Sequence, residues 1–439
     1  MSKKNETNTR KSQKTPIRKI KKVGGITEYL LTSNGLRILF APRKGTNVVT
    51  SNIVYFVGSR DEARGETGIA HMFEHMLFKP TSFDASQKKE AASMRFEKEV
   101  GVVLNANTWK DRTSYFFSYP KTHFDRALQI EAERMHHVLL HAHEFSPEQK
   151  NVLSEFDMYA GDPQFALSVS MVAAAFESHP YGHETIGFRE DIEAYTPEKL
   201  ERFYRAHYTP ENALLIVVGD VAESEMKERV IAHFGKLPRS KTFTPRQIFR
   251  EPKQEGLRTV VVERESTQQI LALGMKHSGF PSTGWFETMV AYDLLAGGED
   301  SILHKALVDT GKAVHVASAL EPTYETNLGI LFITIPKPET HDVVYALIRK
   351  EIEKLTVAII KPYLKKTIAK VLMQEALERE NSLSYVSALV EYTSAGAWET
   401  FFDSEKILKK ITAQDILRHI HMLTNSKNMT LGYFKGTKK

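Results

Sequence analysis

The stretch Ile69-Ala70-His71-Met72-Phe73-Glu74-His75-Met76-Leu77 decides how the rest of the 439-residue chain is read. Thr67-Gly68 ahead of it can start a helix, and Ile69, Met72, Phe73, Met76 and Leu77 give that helix a broad apolar surface. On such a helix His71 and His75 stand one turn apart on one face, with Glu74 beside them. Two imidazoles so placed can bind one Zn²⁺, and a neighbouring carboxylate can take a proton from a metal-bound water. A buried helix whose histidines are merely hydrogen-bonded shows the same five letters. A third ligand separates the two readings.

Glu155 is the candidate. Ser146-Pro147-Glu148-Gln149 reads as a helix start, with Ser146 at the N-cap, Pro147 at N1 and Gln149 closing a capping box. Val152, Leu153 and Phe156 then supply an apolar stripe. Glu148 and Glu155 are two turns apart and point the same way. Two acids facing an apolar environment are costly unless paired or metal-bound; a solvated face is the alternative.

Composition narrows the chemistry. Apolar residues at 41% and charged residues at 26% suit a folded chain with a sizeable core, not a disordered or fibrous one. There are no cysteines, which excludes disulfides, thiolate metal sites and thiol nucleophiles, so any metal is held by His, Asp or Glu. The best apolar run, residues 213–218, is far too short to cross a bilayer. The net charge of +5 is concentrated in residues 1–22, which carry nine Lys or Arg against the single acid Glu6. That stretch reads as a solvated, disordered basic tail without the apolar core of a secretory signal. The body behind it is mildly acidic, which argues against nucleic acid as a partner. The expected compartment is cytoplasmic.

Ile26–Leu31 and residues 36–42 flank Thr32-Ser33-Asn34-Gly35, and Asn-Gly between apolar runs predicts a β-hairpin. Residues 48–57 predict a covered strand. Between Lys236 and Gly256 the chain turns polar around Pro238, Pro245 and Pro252, which predicts a linker over 237–256 between domains at 23–236 and 257–439. A repeat supports the division: Thr196/Thr412, Arg202/Arg418, Asn212/Asn428 and Leu215/Leu431 are each 216 residues apart. Each copy reads as a capped helix followed by an apolar strand. The expected class is α+β: two homologous, α/β-sandwich-like domains with mainly antiparallel sheets.

Together these residues resemble the inverted-zincin peptidases of the M16 (pitrilysin/insulinase) family, in particular its smaller processing-peptidase-like members. Further matches are Gly58-Ser59-Arg60-Asp61-Glu62, Gly68-Ile69-Ala70, Leu104-Asn105-Ala106-Asn107-Thr108, Asp111-Arg112-Thr113-Ser114-Tyr115, His179-Pro180-Tyr181-Gly182, and Asn212 through Gly219-Asp220. The resemblance implies a half-clamshell fold with one Zn²⁺ per chain, ligated by His71, His75 and Glu155. It makes Glu74 the general base and Glu148 a second acid that orients a ligand or balances its charge. Asn105, Ala106, Asn107 and Thr108 become the substrate-binding edge strand, where a peptide adds to the sheet. The implied activity is zinc-dependent endoproteolysis of peptides or short unfolded polypeptides in an enclosed chamber. The alternative is a non-catalytic structural or peptide-binding subunit, but a scaffold has no need of all four of His71, Glu74, His75 and Glu155.

Other features are plainer. His136, His137, His141 and His143 crowd a helix end, where His complements the dipole. Gly297-Gly298 reads as a loop. In the second half, the family often carries an Arg and a Tyr seven apart that grip the substrate backbone; by alignment, Val308 and His315 stand there. Valine offers none of the bidentate bonds of Arg. Around Tyr292-Asp293-Leu294-Leu295 the second half has no histidine pair of its own. The expectation is a dimer, with a related metal-free subunit supplying the grip or two copies of this chain sufficing.

Overall fold

The computed structural model describes residues 16–87, 89–241 and 243–438. Among the described residues twelve strands form two sheets. The first contains β1 (Ile17–Val23), β2 (Ile26–Leu31), β3 (Arg37–Pro42), β4 (Val48–Tyr55), β5 (Val103–Thr108), β6 (Thr113–Pro120) and β7 (Ala213–Gly219), in the order β1-β2-β3-β7-β4-β6-β5. The second contains β8 (Arg258–Arg264), β9 (Gln269–His277), β10 (His315–Ala319), β11 (Asn327–Ile335) and β12 (Met429–Gly436), in the order β10-β11-β9-β12-β8. Every pairing is antiparallel except β3 with β7 and β12 with β8. The helices that build the site and the cores include α1 (Ile69–Met76), α2 (Ala142–Ala160), α3 (Pro163–Ala175), α4 (Pro197–His207), α5 (Thr283–Ala296), α6 (Ser382–Ser394) and α7 (Ala413–Met422). No helix among the described residues is long and apolar enough to cross a membrane.

The hairpin forms as the Asn-Gly signal predicts, with Thr27 opposite Phe40 and Leu30 opposite Arg37. Asn34 also reaches out of the turn, donating its side-chain amide to the carbonyls of Phe234 (2.7 Å) and Leu237 (3.1 Å). The disordered tail expected over 1–22 needs correction. Residues 1–15 lie outside the described residues, but 17–22 belong to β1, which pairs with β2. Ile17 is buried, while Arg18 and Lys19 are exposed. An edge strand needs only its backbone bonds and one apolar anchor, and charged side chains on it block stray pairing, so a basic run is compatible with it.

The repeat is structural. Thr196 caps α4 by accepting from the Lys199 amide, and Thr412 caps α7 by accepting from Asp415. Each helix leads into an interior strand, β7 or β12. The halves also exchange helices. α3, from the first half, lies on the second sheet, where Leu167, Met171 and Val172 pack with Ala272, Ile330 and Phe434. α6, from the second half, lies on β4 and β7, its Val386, Leu389 and Val390 sharing one core with Val54, Leu214 and Ile216. Gly432 of β12 permits the first contact: a Cβ there would come within 2.5 Å of Met171 Sδ.

The segment 237–256 contains no helix or strand among its described residues, yet it is fastened at several points. Arg246 donates to the Ser394 carbonyl (2.8 Å), the Phe249 amide donates to Glu325 (2.8 Å), and Gln254 donates to the Met429 carbonyl (2.7 Å).

Candidate metal centre

The helix carrying the histidines is fixed at its start. Gly68 takes φ 87°, and a Cβ on it would sit 2.3 Å from the Ile186 carbonyl oxygen, so only glycine fits. Buried Glu62 accepts from the amides of Gly68 (2.8 Å) and Ala70 (3.0 Å), satisfying two of the helix's unpaired donors. Burial raises its pKa, against the bonds from His183 and those amides, which lower it. Ile69, Met72, Phe73 and Met76 are buried, and Phe73 stacks on Tyr204 at 4.9 Å. Seating that face turns His71, Glu74 and His75 the other way.

They meet Glu155 of α2. One donor atom from each of His71, His75 and Glu155 lies within 4.8 Å of the other two, the only such three-residue group among the described residues. Both imidazole Nε2 atoms are 3.7 Å from Glu155 Oε2. A tetrahedral Zn²⁺ with ligand bonds of ~2.0–2.1 Å sets its donors roughly 3.3 Å apart. Two imidazole nitrogens and one carboxylate oxygen are a usual donor set for such an ion, so the residues fit it after a small contraction. Burial, and then the neighbouring His75, depress the His71 pKa to about 4. The neutral ring is the form that ligates.

Glu148 stands behind the donors. Its Oε2 is 3.2 Å from His75 Nδ1, and its Oε1 accepts from Lys79 and from Asn151 (3.2 Å). Burial works to raise this carboxyl's pKa, but the bond and charge of Lys79 outweigh it and hold it below the usual range. A carboxylate at Nδ1 keeps the proton there and leaves Nε2 free to ligate. The helix beneath departs from expectation. α2 begins at Ala142 with His141 as N-cap, so Ser146 and Pro147 are interior and the expected capping box does not form. Buried Phe145 anchors the extra turn, and Pro147 is near enough to the start that its missing N–H removes one early bond only.

Glu74 lies against the sheet edge. Its Oε2 accepts from Thr108 Oγ1 at 2.6 Å. Burial raises its pKa, opposed by that bond. Thr108 ends β5, the terminal strand of the first sheet, which pairs with β6 alone. Of the four residues expected to bind substrate, Ala106 is buried, and the Asn107 side-chain oxygen accepts from Ser114 (3.1 Å) and Arg112. Asn105 Oδ1 accepts from the Ala106 amide (2.9 Å). Asn107 and Thr108 thus have partners within the protein, while Asn105 stands exposed on the free backbone edge that β5 offers.

Sequence reasoning missed Lys79, Tyr159 and the capping role of Glu62. Lys79 follows His75 by four residues, and Tyr159, whose phenol pKa is raised by burial and by the charge of Glu155, follows Glu155 by four. Helical spacing was the signal that could have found both. Elsewhere, the His141 and His143 rings stack at 5.4 Å. Val308 closes a short π-helical turn (His304–Val308), and exposed His315 opens β10.

Comparison with known proteins adds a relationship to this geometry. Residues 37–188 match the family described as "Insulinase (Peptidase family M16)", and residues 194–368 match "Peptidase M16 inactive domain". The zinc protease PqqE of Helicobacter pylori is 32% identical over 315 residues, covering 71% of this chain and 70% of that one. A crystal structure of a protease from Helicobacter pylori superposes with a TM-score of 0.86 at 26% identity, over 94% of this chain and 100% of that chain. The periplasmic protease PqqL of Escherichia coli shares the fold with a TM-score of 0.76 at 17% identity, but 95% of this chain covers only 48% of that one.

Proposed function

The chain belongs to the M16 peptidase family, and from that premise we propose that it is a zinc-dependent endopeptidase cutting peptides or short unfolded polypeptides. The observation that carries the reading is the convergence of His71, His75 and Glu155, with Glu74 on the same helix face and hydrogen-bonded to the sheet edge. His71, His75 and Glu155 would hold one Zn²⁺ per chain, with Glu148 fixing the His75 ring. Bound there, zinc supplies Lewis acidity to the scissile carbonyl and lowers the pKa of a water towards ~7. Glu74 takes the proton from the attacking water and delivers it to the leaving amine nitrogen. The open edge of β5 binds the substrate backbone by strand addition, which tolerates varied sequences. With a carboxylate at the site to activate water, the route is direct hydrolysis that needs no acyl-enzyme, consistent with the absence of cysteine.

Catalysis is further proposed to take place in a chamber closed by a second subunit, in the cytoplasm. Val308 and His315 offer no Arg–Tyr pair to grip the substrate, and a related metal-free chain would supply it. The longer PqqL, in which this fold occupies about half the chain, supports pairing of such units. A non-catalytic role is the competing reading, prompted by the "inactive domain" match over residues 194–368. Glu74→Gln decides between them. It should retain zinc by elemental analysis and lose nearly all hydrolysis of a quenched-fluorescent peptide; cleavage at the wild-type rate would remove Glu74 from the mechanism, and a wild type that holds full zinc yet stays inactive even when co-expressed with a metal-free homologue would favour the scaffold. Activity of the purified chain alone that does not rise on co-expression with a metal-free homologue would sink the unlike partner.

A further inference from the structure

The two helices that carry the proposed ligands are tied together differently at the two ends of α1. At its C-terminal end, His75 and Lys79 both meet Glu148 of α2, so side chains of the helices themselves fix the gap there. At the N-terminal end, His71 Nδ1 is buried without a hydrogen-bond partner among the described residues. No side chain stands behind this ring as Glu148 stands behind His75. Where His71 points is therefore decided by how the start of α1 is held.

That start is gripped by a segment from further along the chain, around the short helix Arg189–Glu193. Asp191 Oδ2 accepts from both the amide (3.0 Å) and the hydroxyl (2.6 Å) of Thr67, and the Thr67 hydroxyl accepts in turn from the Phe188 amide (3.0 Å). The Tyr195 hydroxyl donates to the Thr67 carbonyl. Every hydrogen-bonding group of Thr67, two residues ahead of α1, is thus engaged by this one segment.

The same short helix also rests on α2. Gln149, which closes no capping box, donates its side-chain amide to the carbonyls of Ile192 (2.7 Å) and Glu193 (3.3 Å), acceptors of the kind a helix end leaves open. Arg189 pairs with Asp157 and lies over the Phe156 ring. The contacts on α2 therefore fall on both sides of Glu155 in sequence. Ile192 is fully buried, in the core that also holds Ile69 of α1 and Val152 of α2.

We propose that the helix Arg189–Glu193 is a strut that sets the gap between His71 and Glu155, with Asp191 and Gln149 as the positioning residues at its two ends. The proposal rests on the reading of His71, His75 and Glu155 as zinc ligands. The His71 and Glu155 donors stand 3.7 Å apart, a small contraction from tetrahedral spacing, so a strut that holds them there leaves the ion little ordering to impose.

Cutting a strut at either end frees it, and that gives the test. Zinc dissociation constants of the full chain, from competition with a chelating dye, are compared for wild type, Asp191→Ala, Gln149→Met and the two combined. Each single variant should bind zinc roughly tenfold or more weaker than wild type, as loss of outer support does at other metal sites. The double variant should bind about as the weaker single one does, because the second cut releases nothing further. Asp191→Asn keeps an oxygen acceptor for Thr67 and should stay within about threefold of wild type. Lower stability alone does not give this pattern, since a chain still folded by circular dichroism keeps its zinc affinity unless the ligands have moved. If Asp191→Ala does not fold, Gln149→Met, a near-isosteric change on a half-buried side chain, carries the test. The proposal is overturned if Gln149→Met or a folded Asp191→Ala binds zinc within about threefold of wild type, or if the two losses multiply in the double variant. A wild type that binds no zinc would overturn the metal centre itself, and the strut with it.

Discussion

Replacing Thr108 by valine tests how the general base is held. The two side chains are nearly the same shape, and valine suits a strand better than most residues, so β5 and its pairing with β6 should survive. What disappears is the 2.6 Å hydrogen bond from the hydroxyl to Glu74 Oε2. A hydrogen bond to a charged group is worth about 1.5–3 kcal/mol, more than a neutral one. If that energy fixes the carboxylate in its working position, kcat/KM should fall roughly 10- to 150-fold, since each 1.36 kcal/mol is a factor of ten. Zinc content should stay at the wild-type level, because Thr108 touches none of the three ligands, and Thr108→Ser should recover most of the rate. The assay is hydrolysis of a quenched-fluorescent peptide with kcat and KM separated, alongside elemental analysis. A loss confined to KM would instead mean that the hydroxyl binds substrate. A Thr108→Val enzyme with full zinc and a rate within twofold of wild type would refute the positioning argument.

Glu155→Gln should lose zinc and hydrolysis together, and Zn²⁺ should restore chelator-treated wild type; equal zinc occupancy in the variant and wild type would remove Glu155 from the ligand set. Lys79→Met strips Glu148 of its ammonium partner and should lower zinc affinity roughly 10- to 100-fold, as loss of outer support does at other metal sites; an unchanged dissociation constant in a competition titration with a chelating dye would show Lys79 to be incidental. Burial depresses the His277 pKa to about 4, so between there and its ordinary 6.5 the unfolded chain binds a proton that the folded one refuses. This residue's contribution is thus fully present above pH 6.5 and is lost as the pH falls towards 4, by up to about 3 kcal/mol. Urea melts at pH 7.5 and 5.0 measure it, and His277→Gln should flatten the difference; an identical pH dependence in variant and wild type would exclude His277 as a cause.

What the sequence disclosed was set by distance along the chain. The histidine pair, Glu74, the hairpin at Asn34-Gly35 and the capped helices at Thr196 and Thr412 are local patterns, and local geometry honours them. The start of α2 was misread because good capping letters at Ser146 and Pro147 lost to the burial of Phe145, a tertiary effect. β1 was hidden because a strand with a single apolar anchor looks like any charged run. The bond between Thr108 and Glu74 spans 34 residues, and the Glu62 cap is recognisable only once the helix start is known. Periodicity says that a helix has an apolar face. It does not say that α3 serves the other half's sheet.

That exchange has a consequence for how the chain can be divided. Cut at the linker, the first piece would carry α3 with nothing under it and a sheet face stripped at Val54, Leu214 and Ile216, and the second would have the complementary wounds. Neither fragment is a domain in the thermodynamic sense, since the apolar surface that makes each half stable belongs to the other. The chain should therefore melt in a single step, and a protease nick in the linker should leave two polypeptides that still travel as one particle. With a helix from each half completing the other's core, the two should unfold and travel together.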